Sequence, residues 1–268
     1  EMCIRDSHLP SFDTGSGLSS QDYLKQKTQQ ALDRLGLGDK PIYSQQLAHE
    51  LSVIHQMGYD DYFLIVWDII RYCRKQGIQM GPGRGSAPGS LVAYLLKISA
   101  VDPLKFNLLF ERFLNPERYT MPDIDIDIPD NRRQEVIDYV AQKYGYSQVA
   151  QIATFGSFKA KQAVRDVLRV TGAREEDMRT WSRIIPENQN QPLSLDAAYQ
   201  ADSNFRNFVD QDREHRAVYE TAMSIEGLPR NISTHAAGVV INDFPLENMI
   251  PILERPQQLM LTPVSYTH

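Results

Sequence analysis

Ten residues, Gly81-Pro82-Gly83-Arg84-Gly85-Ser86-Ala87-Pro88-Gly89-Ser90, constrain this chain more than any other stretch. Their four glycines and two prolines exclude a helix or strand interior, where glycine costs backbone entropy and proline removes a donor. The segment is a loop. Directly after it, Leu91, Val92, Tyr94, Leu95 and Ile98 recur at helical spacing, with Ser90 placed as the N-cap. Backbone N–H groups in a glycine turn before a helix N-terminus bind anions, and Arg84 adds a fixed fork of donors. The loop reads as a phosphate cradle suited to a triphosphate. It is not of the Walker type, since no Lys-Ser or Lys-Thr closes it, and its glycines lack the dinucleotide-binding spacing.

A second feature follows downstream. Met121-Pro122-Asp123-Ile124-Asp125-Ile126-Asp127-Ile128-Pro129 alternates apolar and acidic residues with period two, which predicts a strand with two unlike faces that stops at Pro129. Carboxylates on one face repel each other unless a cation sits among them. Alternate strand positions stand about 6–7 Å apart, and from there two carboxylates can converge on a pair of divalent cations about 3.5–4 Å apart. Hard oxygen ligands favour magnesium or manganese. A lone Asp-x-Asp is more often an ordinary polar face. Here a glycine-serine loop, a helix and an acidic strand in one supersecondary unit put phosphate donors and metal carboxylates together.

Around these features the pattern is mostly helical. Residues 21–36 carry Tyr23, Leu24, Ala31, Leu32 and Leu35 at helical spacing and stop at Gly36, a segment that reads as peripheral. Leu47, Leu51 and Ile54 form one apolar face, and Phe63, Val66, Trp67, Ile70 and Cys73 another, which predicts two packed helices. Asp130-Asn131 offers an N-cap for a helix carrying Val136, Ile137, Val140 and Tyr144 and ending at Gly145, followed by a strand from Val149 to Phe155. Helical patterning without a convincing strand then runs to about Ile225, and Ala236 to Ile241 reads as a returning buried strand.

Charge enters at this point. With 28 Lys and Arg against 34 Asp and Glu, the net charge of -6 argues against a protein that coats nucleic acid through its overall field. From Ser157 to Arg183, however, seven cationic residues (Lys159, Lys161, Arg165, Arg169, Arg174, Arg179, Arg183) oppose four acidic ones, a local basic surplus. Cys3 and Cys73 form no ligand-like pair, which suits a reducing, cytoplasmic setting. The most apolar window, Tyr62 to Ile70, is interrupted by Asp68 and is too short to span a bilayer, so neither a membrane segment nor a signal peptide is expected.

The runs Gly81 to Ser86, Leu109-Phe110-Glu111-Arg112-Phe113-Leu114-Asn115-Pro116-Glu117-Arg118, Met121 to Asp127, Ala153-Thr154-Phe155-Gly156 and His235-Ala236-Ala237-Gly238-Val239-Val240-Ile241 together resemble the palm of the C-family replicative DNA polymerases, the family of the bacterial polymerase III alpha subunit. The resemblance covers roughly residues 45–262. It implies an α+β fold: a DNA polymerase beta-like nucleotidyltransferase palm, with a mixed sheet and packed helices, interrupted by an all-helical thumb. On this division residues 1–44 lead into the palm, 45–155 are its first part, 156–229 the thumb and 230–262 the returning palm segment. The resemblance further implies Asp123 and Asp125 as catalytic metal ligands for two magnesium ions, with manganese as an alternative, and Asp127 as the more variable position. It implies nucleotide contacts from Arg84, Gly85, Ser86 and Arg112, and duplex contacts from Lys159, Lys161 and Arg165.

The implied partners are primer-template DNA and deoxynucleoside triphosphates, with a sliding clamp and other replisome subunits in a full-length parent. In this family a third catalytic aspartate lies downstream of the His-Ala-Ala-Gly run, and the chain stops before it. Glu1 to Ser7 and residues 263–268 resemble translated adapter sequence, from which a reading frame truncated at both ends is expected. The expectation is therefore a DNA-directed DNA polymerase fragment, itself inactive. A non-catalytic DNA-binding module and a template-independent nucleotidyltransferase of the same superfold are the alternatives. Of the remaining residues, Trp67 and Trp181 read as packing groups, His235 as a packed or hydrogen-bonded histidine, Arg118 as able to neutralise Asp127 or reach nucleic acid, with a local salt bridge the safer expectation, and Glu175, Glu176 and Asp177 as a solvated face or helix start.

Overall fold

The computed structural model describes residues 9–118, 121–186, 193–255 and 258–263. Cys3 and the terminal runs Glu1 to Ser7 and Val264 to His268 lie outside the described residues. Helices and a small sheet together make the fold α+β. The chain divides into two compact units, the first reaching to Gln151 and resuming at Gly238–Thr262, the second comprising Ile152–Ala237.

In the first unit, α1 (Ser20–Arg34) begins at Ser19, whose Oγ accepts the Asp22 N–H, and the chain leaves it through Gly36 in the left-handed region. Its stripe of Leu24, Thr28, Ala31 and Leu32 is buried, so this helix belongs to the main core rather than the periphery expected for it. The isolated pattern looked weak because Lys and Gln dominate its other faces. α2 (Pro41–Gln56) starts on a proline at its first turn, and α3 (Asp60–Lys75) carries Asp60 and Asp61 at its N-terminus and Arg74 and Lys75 at its C-terminus, complementing the helix dipole. Leu24, Leu32, Ile54, Phe63, Leu64 and Leu91 are fully buried in one core, each stabilising it by roughly 1.5–3 kcal/mol.

The glycine loop leads into α4 (Leu91–Leu95), with Ser90 Oγ accepting the Ala93 N–H at 3.1 Å as the cap. α4 stops short of Ile98. Lys97 takes a positive φ of 62°, and the Ile98 N–H turns back to the Ala93 carbonyl at 2.8 Å, so Ile98 is buried through a helix-ending turn instead of another helical turn. Residues 121–129 are not a strand. They keep the period-two alternation, with Ile124, Ile126 and Ile128 half-buried and Asp123, Asp125 and Asp127 exposed, but no neighbouring strand among the described residues pairs with them. Alternation reports two faces; a strand also needs a partner, which sequence pattern cannot supply. The next helix also starts later than expected, since Asp130–Arg132 form a single 3₁₀ turn and α5 (Arg133–Tyr144) is entered at Arg132, with no side-chain cap from Asp130 or Asn131. It ends at Gly145, φ 104°, as the sequence predicts.

β1 (Val149–Ser157) passes from the first unit into the second. There α6 (Ala160–Val170), α7 (Glu175–Ile184), α8 (Leu195–Ala201), α9 (Ser203–Val209) and α10 (Arg213–Ile225) bury Ala163, Val164, Trp181, Leu195, Phe205 and Tyr219 in a core of their own. β2 (Pro229–Ile241) returns the chain to the first unit and begins earlier than the expected Ala236, and β3 (Leu261–Thr262) completes a sheet of order β2-β1-β3. Among the described residues no helix is long and apolar enough to cross a membrane.

Asp68, which interrupts the most apolar window of the sequence, has a structural role. Fully buried on α3, it accepts from Tyr139 Oη at 2.7 Å and pairs with Lys143 Nζ at 2.6 Å, both on α5, and with Arg71 at 3.0 Å. Tyr139 also stacks on Tyr72 with centroids 3.8 Å apart. Removing Asp68 leaves the Tyr139 hydroxyl without its acceptor and Lys143, 28% exposed, without its carboxylate, so Asp68→Ala should cost about 1–3 kcal/mol of stability. Urea unfolding should show this as a lower midpoint, with Asp68→Asn losing less.

Candidate functional site

The glycine loop is pinned at its base and left open at its tip. The Ala100 N–H and Ser99 Oγ donate to the Pro82 carbonyl at 2.8 and 3.3 Å, while the Gly89 N–H donates to the Ser86 carbonyl at 2.9 Å. Gly83 and Gly85 take φ of 97° and 67°, where a side chain would be strained, so the tip Gly83-Arg84-Gly85 depends on both. Gly89 lies against the Leu109 carbonyl, where an added Cβ would stand 2.8 Å away, and this seats the 3₁₀ turn Phe110–Arg112 beside the loop's end.

Gly81 joins the loop to the acidic segment. A Cβ there would fall 2.8 Å from Asp127 Oδ2 and 2.9 Å from Asp127 Cβ, and the Gly81 N–H donates to the Asp127 carbonyl at 3.3 Å. Side chains complete the junction: Arg84 Nε lies 3.2 Å from Asp125 Oδ2 and 3.5 Å from Asp127 Oδ1. The three groups are 62%, 44% and 47% exposed, which limits each pair to about 0–1 kcal/mol. Further along, the Ile124 N–H donates to Tyr62 Oη of α3 at 3.2 Å. Burial, offset by that N–H and reinforced by Asp123 and then Asp125, pushes the Tyr62 phenol up to about 12.

The structure thus brings Arg84, Asp125 and Asp127 together, with Asp123 two residues along the same exposed edge. Gly85 is exposed at the loop tip and Ser86 is half-buried behind it. Arg112 is exposed on the neighbouring 3₁₀ turn and makes no ion pair among the described residues. Arg118 makes none either. The local salt bridge expected of it is not found among the described residues, where Asp127 is met by Arg84.

Lys159, Lys161 and Arg165 lie in the second unit, at the cap and first turns of α6. Arg165 there walls a cleft of about 510 Å³ with Arg169, Arg179 and Arg183, pairs spaced four residues apart on α6 and α7. Trp181 is buried, Trp67 packs edge-on against Phe12 and Tyr23, and Glu175 to Asp177 occupy the first turn of α7, in line with their sequence readings.

The helix N-terminus does not serve the loop as the sequence implied. Glu50, fully buried on α2, accepts the Leu91 and Val92 N–H groups at 2.9 and 3.0 Å, Ser90 Oγ at 2.7 Å and Gln46 Nε2 at 2.9 Å. Burial pushes its carboxyl above the ordinary range while these donors pull it back. A protein carboxylate thus fills the anion position of α4. Glu50 and Tyr62 were missed by sequence reasoning. Glu50 had one signal, a carboxylate three residues after Leu47 on an otherwise apolar face.

Among the described residues no three His, Cys, Asp or Glu side chains gather into a metal-holding group. Two exposed carboxylates on one edge are still a donor set that magnesium accepts, because it commonly takes one or two carboxylates and fills its remaining positions with phosphate and water. The guanidinium already seated on Asp125 shows that this edge accommodates a cation.

Residues 22–267 match the family described as the bacterial DNA polymerase III alpha NTPase domain. The chain is similar to the DNA polymerase III subunit alpha of Bacillus subtilis (strain 168), 47% identical over 269 residues that cover 100% of this chain and 24% of that protein. It is also similar to the DNA polymerase III subunit alpha of Staphylococcus aureus (strain COL), 46% identical over 252 residues, 94% of this chain and 23% of the relative. The chain spans about a quarter of the length of these curated relatives.

Glu50→Ala should strand three buried donors at the start of α4, lowering stability by about 3 kcal/mol. Limited proteolysis should then cut within Gly83 to Ser86 faster than in the wild type, because the loop's far end is no longer held.

Proposed function

Since the chain belongs to the family of the bacterial DNA polymerase III alpha subunit, we propose that it is part of a DNA-directed DNA polymerase and carries the groups that join an incoming deoxynucleotide to a primer 3′ end. Arg84 on the glycine loop, in contact with Asp125 and Asp127, carries this reading: it unites a phosphate donor with metal carboxylates. Residues 45–155 and 230–262 are on this proposal a polymerase beta-like palm, and 156–229 a thumb. The separate apolar core of α6 to α10 supports the thumb.

Asp123 and Asp125 would hold magnesium, or manganese in its place. When bound, the metal lowers the pKa of the primer hydroxyl and offsets charge on the phosphates. Arg84 turns from Asp125 toward the triphosphate, since a pair this exposed is weak and a multiply charged phosphate is the stronger partner for its fork. The N–H groups of Gly85 and Ser86 are proposed to donate to the same anion, with Arg112 approaching from the turn packed on the loop's end. Lys159, Lys161 and Arg165 contact the duplex backbone, a sequence-independent task. The arginine cleft beside Arg165 adds cations of the same kind. The whole enzyme would further engage a sliding clamp and other replisome subunits. By itself the chain is proposed to be inactive, since two carboxylates supply only part of the ligands that a two-metal site requires.

In the intact enzyme that contains this chain, Asp123→Asn should lower kcat by about a thousandfold, some 4 kcal/mol of transition-state stabilisation. Duplex affinity by fluorescence anisotropy should stay within about twofold, as expected of a group acting on the transition state. Loss of duplex binding instead would remove Asp123 from the metal site, and template-directed extension by the 268-residue chain alone would overturn its proposed inactivity. Arg165→Ala should reduce the log–log salt slope of duplex binding by about 0.9, the share of one phosphate contact.

A further inference from the structure

The acidic segment holds its carboxylates without the ladder hydrogen bonds of a strand, so other contacts must fix where Asp123 and Asp125 stand. Burial of Ile124, Ile126 and Ile128 sets which face points outward. Apolar contact is non-directional, however, and does not by itself fix position along the segment. Among the described residues the backbone of 121–128 makes two hydrogen bonds. One is from the Gly81 N–H to the Asp127 carbonyl, beyond both aspartates. The other is from the Ile124 N–H to Tyr62 Oη at 3.2 Å, and Ile124 is the single residue between Asp123 and Asp125.

Tyr62 is well placed to act as a fixed point. It projects from the first turn of α3, half-buried, with its ring edge-on to Phe63 and Tyr59 at centroid distances of 6.1 and 6.5 Å. Phe63 is fully buried in the core. A slip of one residue at Ile124 would turn both carboxylates inward, because facing alternates along an extended chain.

We propose that Tyr62 is a positioning residue: by accepting the Ile124 N–H, its hydroxyl sets the placement of Asp123 and Asp125 on the exposed edge and thereby their shared affinity for a divalent cation. This rests on the reading of those two aspartates as metal ligands. The hydroxyl does this work through one lone pair and touches neither metal nor substrate. Removing the oxygen alone, by Tyr62→Phe, leaves the ring and its packing in place.

The test uses the 268-residue chain in three forms, wild type, Tyr62→Phe and Asp123→Asn. Manganese affinity is read by electron paramagnetic resonance of the free ion, local order by hydrogen exchange at the Ile124 amide, and global stability by thermal melting. Tyr62→Phe should weaken manganese binding about three- to tenfold and speed Ile124 exchange at least about tenfold, with the melting midpoint nearly unchanged. A purely structural role would instead lower the midpoint and leave manganese affinity intact. Wild-type affinity in Tyr62→Phe, with binding lost in Asp123→Asn, would overturn the proposal while sparing the metal site. If Asp123→Asn binds manganese as the wild type does, or the wild type binds none, the metal reading fails. The Ile124 exchange rate then decides Tyr62 separately, and an unchanged rate overturns its positioning role.

Discussion

A carboxylate buried between two helices sets the frame of the first unit's site. Glu50 reaches from α2 to the first N–H groups of α4 and to the Ser90 hydroxyl, satisfying donors that a five-residue helix leaves unpaired. With α4 fixed, the residue before it is fixed, and with it the end of the glycine loop. The loop's start is held by the Ser99 and Ala100 donors to Pro82. Only the tip, carrying Arg84, is left to respond to whatever approaches it. A loop free at both ends would carry the same donors but would lose conformational entropy on ordering around a ligand.

Electrostatics at the tip is deliberately unbalanced. One guanidinium faces Asp125 and Asp127, and Asp123 adds a third carboxylate to the same edge, so negative charge remains in excess after Arg84 is counted. Solvent exposure keeps the arginine pairs weak, which makes the guanidinium displaceable rather than structural. Contrast Asp68, fully buried against Lys143 and Tyr139, where removing a partner is costly and the pair locks α3 to α5. The unit therefore contains two kinds of ion pair. The buried kind holds helices together; the exposed kind is free to exchange partners.

What could be read from the sequence follows the range of the interactions involved. The loop was legible because glycine and proline act locally, and so were the Ser90 cap and the stop at Gly145. The two-faced character of residues 121–129 was also legible, since alternation is written in the side chains. That the segment is no strand was not, because pairing depends on a neighbour distant in sequence. Glu50 and Tyr62 escaped for the same reason: each sits in a helical stretch that reads as ordinary, and its importance comes from an N–H group about 40 or 60 residues away. Asp130 and Asn131 misled in the other direction, because good capping residues do not act as caps when a 3₁₀ turn intervenes.

The overall charge of -6 was a poor guide to what the surface can approach. At physiological ionic strength exposed charges are screened beyond about 8 Å, so a ligand responds to the few groups nearest to it. Near α6 and α7 those are Arg165, Arg169, Arg179 and Arg183, with Glu175 the one carboxylate lining the same cleft. Two of the four are engaged locally, Arg169 with Asp166 and Arg179 with Glu175. Arg165 and Arg183 make no such pair among the described residues, and they are the two whose full charge faces solvent. A chain that is acidic as a whole can therefore carry a locally cationic surface in one unit and an exposed carboxylate edge in the other.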